Sequence, residues 1–201
     1  MICMIKIFYL IAKTITFPGT LFKAFLEHIA CRLTLTAMEN DRYYQNNEMC
    51  GHVEHDLAER KGQAFVLCFF PFIVMLIFGI IFAWAGSIDI IALGEFRRTE
   101  QINLMGFLYV YLGLCFLTNL FPSTEDYLSF KVLFYGKGSK NIFLKIILAP
   151  LFAVFFIGTK LEKCGLSLLT SAAFIFFMPQ ILSLFVPALT NLITDYSTGL
   201  N

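Results

Sequence analysis

The residues of this chain that could do chemistry fall into three strings. The first holds Lys23, Glu27 and His28, set in an otherwise apolar run that opens with Pro18-Gly19-Thr20. Ionisable groups inside an apolar helix are costly enough to mark either a function or a structural pair. Lys23 and Glu27 stand four residues apart, share a helix face and are expected to pair. A zinc-binding helix of the His-Glu-x-x-His type needs two imidazoles on one face and a glutamate that takes a proton from water. His28 has no second histidine four residues away, and the chain nowhere contains that string. The second string is Cys50-Gly51-His52-Val53-Glu54-His55-Asp56, with two histidines three apart among acids. It reads either as a source of metal ligands or as a solvated loop. The third runs from Asn119 to Asp126. There Pro122 should end one helix, Ser123 can cap the next, and Asp126 falls in its first turn.

The elements that must hold these strings are apolar. Of 201 residues, 58% are hydrophobic and 14% charged, against about one quarter charged in soluble domains, and mean hydropathy is +0.75. Twenty-four Phe against a single Trp suit surfaces that face lipid or pack helices. A net charge of +1 offers no basic face for nucleic acid. About 20 apolar residues cross the hydrocarbon layer as a helix, and five runs approach that length: 2–35 (broken at Pro18-Gly19), 63–86, 102–121, 141–158 and 166–193. The sequence therefore predicts an all-α, polytopic membrane bundle of about five helices, one domain over residues 1–201, with a polar loop at 37–62. Pro179 and Pro187 predict a kink in the last run, and the aromatic segment 127–135 is expected to lie along the interface.

Lys and Arg are distributed between the loops so that the positive-inside rule places the 37–62 loop and the C-terminus in the cytoplasm. Six cysteines, Cys3, Cys31, Cys50, Cys68, Cys115 and Cys164, lack the spacing of a disulfide framework or a cysteine zinc site. The N-terminal stretch, interrupted by Lys13 and followed by no small-residue cleavage motif, reads as part of the mature protein. These features together fit an inner bacterial membrane.

Taken in order, the three strings resemble the site-2-protease-like membrane metallopeptidases. Those proteins open with Pro-Gly-Thr before His-Glu-x-x-His, continue with a Gly-Tyr-Val-x-His stretch and a helix containing proline, and then carry Asn-x-x-Pro-Ser-x-x-Asp. Here Pro18-Gly19-Thr20, Ala30-Cys31-Arg32-Leu33, Gly51-His52-Val53-Glu54-His55, Gln63-Ala64-Phe65 leading to Pro71, and Asn119, Pro122, Ser123 and Asp126 match in order over about residues 15–130. The resemblance implies a zinc site, yet Lys23, Ala24 and Glu27 stand where the first His, the Glu and the second His belong. A one-residue shift recovers His28 as the second histidine and puts Ala24 and Phe25 at the other two positions. Asp126 falls at the family's third zinc ligand.

Three functional readings follow. The chain is a non-catalytic relative that binds a transmembrane segment of another protein, with an intramembrane polar cluster of Lys23, Glu27, His28, Asn119 and Asp126 and a lysine in place of zinc. Or it is an active membrane metallopeptidase with zinc on a rearranged set of His28, His52, His55 and Asp126. Or it is a small transporter or channel component, against which stands the absence of any visible inverted repeat.

Overall fold

The structure, a computed structural model, describes residues 2–40, 42–43, 50–88, 90, 104–136 and 142–185. Helices dominate: α1 (Ile2–Ile15), α2 (Phe17–Thr34), α3 (Lys61–Ser87), α4 (Leu104–Thr118), α5 (Thr124–Tyr135), α6 (Ile142–Lys163) and α7 (Ser167–Phe185). Two short antiparallel strands, β1 (Met38–Asn40) and β2 (Glu54–His55), pair Met38 with His55 and Asn40 with Glu54. The fold is thus all-α apart from this small hairpin in the polar loop.

Local chemistry accounts for the helix ends. Pro18 sits in the first turn of α2, where its missing N–H has no intrahelical partner to lose. Leu35 ends α2 in a left-handed conformation, φ 54°, and Thr36 N–H closes the turn on Cys31 C=O at 3.0 Å. Gln63 accepts from Arg60 N–H at 3.1 Å and donates to Thr34 C=O at 3.1 Å, so one side chain caps α3 and ties it to the end of α2. Ser123 accepts from Asp126 N–H at 3.0 Å and caps α5.

The 27 residues of α3 reach about 40 Å at 1.5 Å per residue. This helix is long and apolar enough to cross a membrane by itself. α6 and α7 pass that test only as a pair, and they are bent by 114° across their break. The other expected spans take different forms. The first is divided into α1 and α2, the third is the 15-residue α4, and residues 186–193 of the fifth, with Pro187, lie outside the described residues. So do Arg97, Arg98, Lys137 and Lys140 of the charge pattern, and residues 91–101 of the second loop.

α3 and α4 form the most extensive helix pair. They approach closely because Gly113 faces Ala83: a Cβ on Gly113 would lie 2.6 Å from Ala83 N, the small-residue contact that lets helix backbones meet. A second core is aromatic. Phe130 stacks on Phe152 with centroids 4.6 Å apart, and Phe155 meets Phe69 and Phe72, joining α3, α5 and α6.

Ile7, Phe8, Ile77, Ile81, Leu104, Leu108, Ile146, Phe156, Leu169 and Phe176, from α1, α3, α4, α6 and α7, are all exposed. Lys13, Lys23, Glu27, His52, Asn119, Asp126 and Glu162 are all buried.

Candidate functional site

Buried Lys13, Lys23, Glu27, His52, Asn119 and Glu162 form one connected cluster, and two of its members, Lys13 and Glu162, come from outside the 15–130 region. Lys13, in the last turn of α1, donates to Asn119 Oδ1 at 2.7 Å and to Glu162 Oε1 at 2.5 Å. Lys23, from α2, donates to the same Glu162 oxygen at 2.9 Å and to Phe121 C=O. One carboxylate oxygen of α6 therefore receives two ammonium groups, while Glu162 Oε2 is buried with no hydrogen-bond partner.

Asn119, at the end of α4, is held on both sides of its amide. Its Nδ2 donates to Thr16 Oγ1 at 2.9 Å and Cys115 C=O at 2.8 Å, and its Oδ1 also accepts from Thr20 at 3.3 Å. This requires α2 to lie directly on α4. Gly19 allows it: a Cβ there would sit 2.1 Å from Cys115 C=O oxygen.

The polar loop folds back over the cluster. Gly51 takes φ +79° beside Thr20, where a Cβ would meet the threonine methyl at 2.6 Å, and Tyr9 donates to Cys50 C=O at 2.9 Å. That turn delivers His52 Nδ1 to Glu27 Oε1 at 2.9 Å and Val53 N–H to Glu27 Oε2 at 3.1 Å. His52 Nε2 faces Glu162 Oε1 at 3.7 Å. Three residues on, His55 Nε2 meets Asp126 Oδ1 at 3.0 Å while its Nδ1 lies 2.8 Å from Asp56 C=O. Ser123 Oγ donates to Asp126 Oδ2 at 2.7 Å.

The loop histidines differ in charge state. Burial, then the nearby Lys23 and Lys13, hold His52 well below its usual value, so it is neutral. Burial also works against His55, but the hydrogen bond and charge of Asp126 outweigh it and raise His55 to about 9. Burial would raise Asp126; the His55 contacts and the Ser123 hydrogen bond prevail and keep it below the ordinary carboxylate value.

Four of the five residues expected to cluster, Lys23, Glu27, Asn119 and Asp126, are buried around this network. His28 is not part of it: it is half-buried and pairs with Tyr43, Nδ1 to hydroxyl at 3.2 Å. The expected Lys23–Glu27 pair is also replaced. Lys23 turns to Glu162, and Glu27 is taken by His52 and Val53, because the loop backbone and imidazole satisfy both its oxygens at once. His52 and His55, read as ligands or as solvated loop, are instead partners of buried carboxylates.

Lys13 and Glu162 went unnoticed in the sequence as site residues. A signal existed for Glu162. Phe152, Phe155, Thr159 and Glu162 recur at three- and four-residue spacing, and all are buried, so the acid continues the inward face of α6.

Zinc does not fit the residues at the metal position that the resemblance implies. The Lys23 nitrogen is engaged by Glu162 and the Phe121 carbonyl, both oxygens of Glu27 and both of Asp126 have partners within 3.1 Å, and His28 lies outside the network. Among the described residues no group of three or more His, Cys, Asp or Glu is arranged to hold a metal ion. Compared with known protein families, characterised proteins and solved structures, the chain matches none.

Proposed function

We propose that this chain is a multi-pass membrane protein, a non-catalytic relative of the site-2-protease-like metallopeptidases that binds a transmembrane segment of a partner protein. One observation carries the reading. Lys23, at the place of the family's first zinc-binding histidine, puts its ammonium on Glu162 beside that of Lys13. Two fixed positive charges thus stand in the region where the family would hold a dication, and the local carboxylates are arranged around protein cations. Catalytic zinc needs three protein ligands and a water that a base can deprotonate, and Ala24 stands where that base would be.

The exposed apolar side chains support the membrane part. Exposed Ile, Leu and Phe on five helices around a buried ionic cluster suit lipid outside and paired charges inside. In this reading α1–α2, α4 and the bent α6–α7 pair cross or enter the bilayer together with α3. The partner-binding role follows from the scaffold: a fold that receives membrane segments for cleavage retains, without its metal, the ability to receive them.

Reconstruction tests the lineage. The triple variant Lys23→His, Ala24→Glu, Glu27→His rebuilds His-Glu-x-x-His in register with Asp126, and it is expected to bind one zinc per chain in detergent. A folded triple variant that binds no zinc, as read by mass spectrometry of bound metal, removes the resemblance as a guide to this site.

A further inference from the structure

The geometry points to a covalent isopeptide cross-link between Lys13 and Asn119, formed by the chain itself with Glu162 as its acid–base group. This inference needs only three side chains, and once the bond has formed Lys23 is the ammonium left on Glu162. An amine, a carboxamide and a carboxylate are brought together by three helices distant in sequence: Lys13 from α1, Asn119 from α4 and Glu162 from α6. Their exposures are 1%, 0% and 4%. The Lys13 nitrogen is 2.7 Å from Asn119 Oδ1 and 2.5 Å from Glu162 Oε1.

Each partner is prepared for the reaction. The Asn119 amide is fixed by Thr16 and Cys115 on its nitrogen and by Lys13 and Thr20 on its oxygen. When Lys13 turns to the carbon, the Thr20 hydroxyl remains on the carbonyl oxygen at 3.3 Å to stabilise charge developing there. Holding amine and amide together in a dry site supplies the proximity that makes a slow acyl transfer feasible. Glu162 touches the reacting nitrogen, and its second oxygen, buried and without a hydrogen-bond partner, is available to carry a proton.

The atoms balance without any other reagent. Glu162 takes a proton from the Lys13 ammonium, and the freed amine adds to the Asn119 side-chain carbon. The tetrahedral adduct then expels the amide nitrogen, which takes the proton held by Glu162 and the second proton shed by the former Lys13 amine. A new C–N bond joins the two side chains, the Asn119 carbon–nitrogen bond breaks, and one ammonium ion leaves. No electrons are exchanged, and Glu162 ends as the carboxylate it began, paired with Lys23.

Intact-mass analysis of the full-length protein in detergent, followed by peptide mapping, tests this. The wild type is expected to be lighter than its sequence by one ammonia and to yield a branched peptide joining Lys13 to Asn119. Lys13→Arg and Glu162→Gln are expected at their full sequence masses. A wild type at full sequence mass, both fresh and after prolonged incubation, overturns the proposal. So does an ammonia loss that maps to a succinimide or to any site other than this pair.

Discussion

Lys23 and Glu162, 139 residues apart in the chain, meet at 2.9 Å in the buried centre of the molecule. This contact ties α2 to α6. It places the energetic weight of the site on an acid that has two cationic partners.

That asymmetry gives the first prediction. In freshly purified chain at its full sequence mass, replacing Glu162 with Leu strands both Lys13 and Lys23 in the interior, whereas Lys23→Ala still leaves Lys13 on the carboxylate. Breaking a buried ion pair by removing one partner costs about 3–5 kcal/mol. Glu162→Leu is therefore expected to reach that range and Lys23→Ala to fall below it, as read by unfolding in detergent. Equal losses in the two variants contradict the shared-oxygen arrangement.

The contact between α2 and α4 supplies a second. A methyl group on Gly19 would stand 2.1 Å from the Cys115 carbonyl oxygen, and backbone has nowhere to yield. Gly19→Ala is expected to cost at least the roughly 1–3 kcal/mol typical of overpacking, and to loosen Asn119 with it. Gly62, with nothing within 4 Å of an added Cβ, is the matched control, and its Ala variant should unfold no more easily than the wild type.

The loop clasp is pH-dependent with a definite sign. His55 rises from 6.5 to about 9 in the folded chain, so its pairing with Asp126 stabilises fully below about 6.5 and is lost as pH climbs through about 9. The wild type should lose stability across that window relative to His55→Gln, which has no imidazole to titrate. Parallel stability curves for the two proteins between these pH values would show that the clasp carries no linked proton.

How much of this was legible follows from how local each signal is. The Ser123 cap, the helix stop at Pro122 and the placement of Asp126 depend on neighbours within four residues, and all were readable from 119–126. The break near Pro18-Gly19 was likewise marked by residue type. The partner of Lys23 was not. Spacing of four offered Glu27, but the choice between two acids was settled by a loop that fills both Glu27 oxygens and by a helix arriving from 139 residues away. His28 misled for the same reason: position along the helix put it beside Glu27, while the helical rotation of one residue turned it to Tyr43. The division of the first apolar run into α1 and α2 brings Lys13 and Lys23 to a common acid, an outcome of tertiary packing rather than of hydropathy.

Bound metal is the most direct measure of the central claim. Mass spectrometry of the protein purified in detergent without added chelator, beside Asp126→Ala and His52→Ala, reads it in one experiment. The account predicts no stoichiometric zinc in the wild type and no change in either variant. One zinc per wild-type chain, lost when Asp126 or His52 is removed, would contradict it and return the chain to the metallopeptidases as an enzyme with a rearranged site.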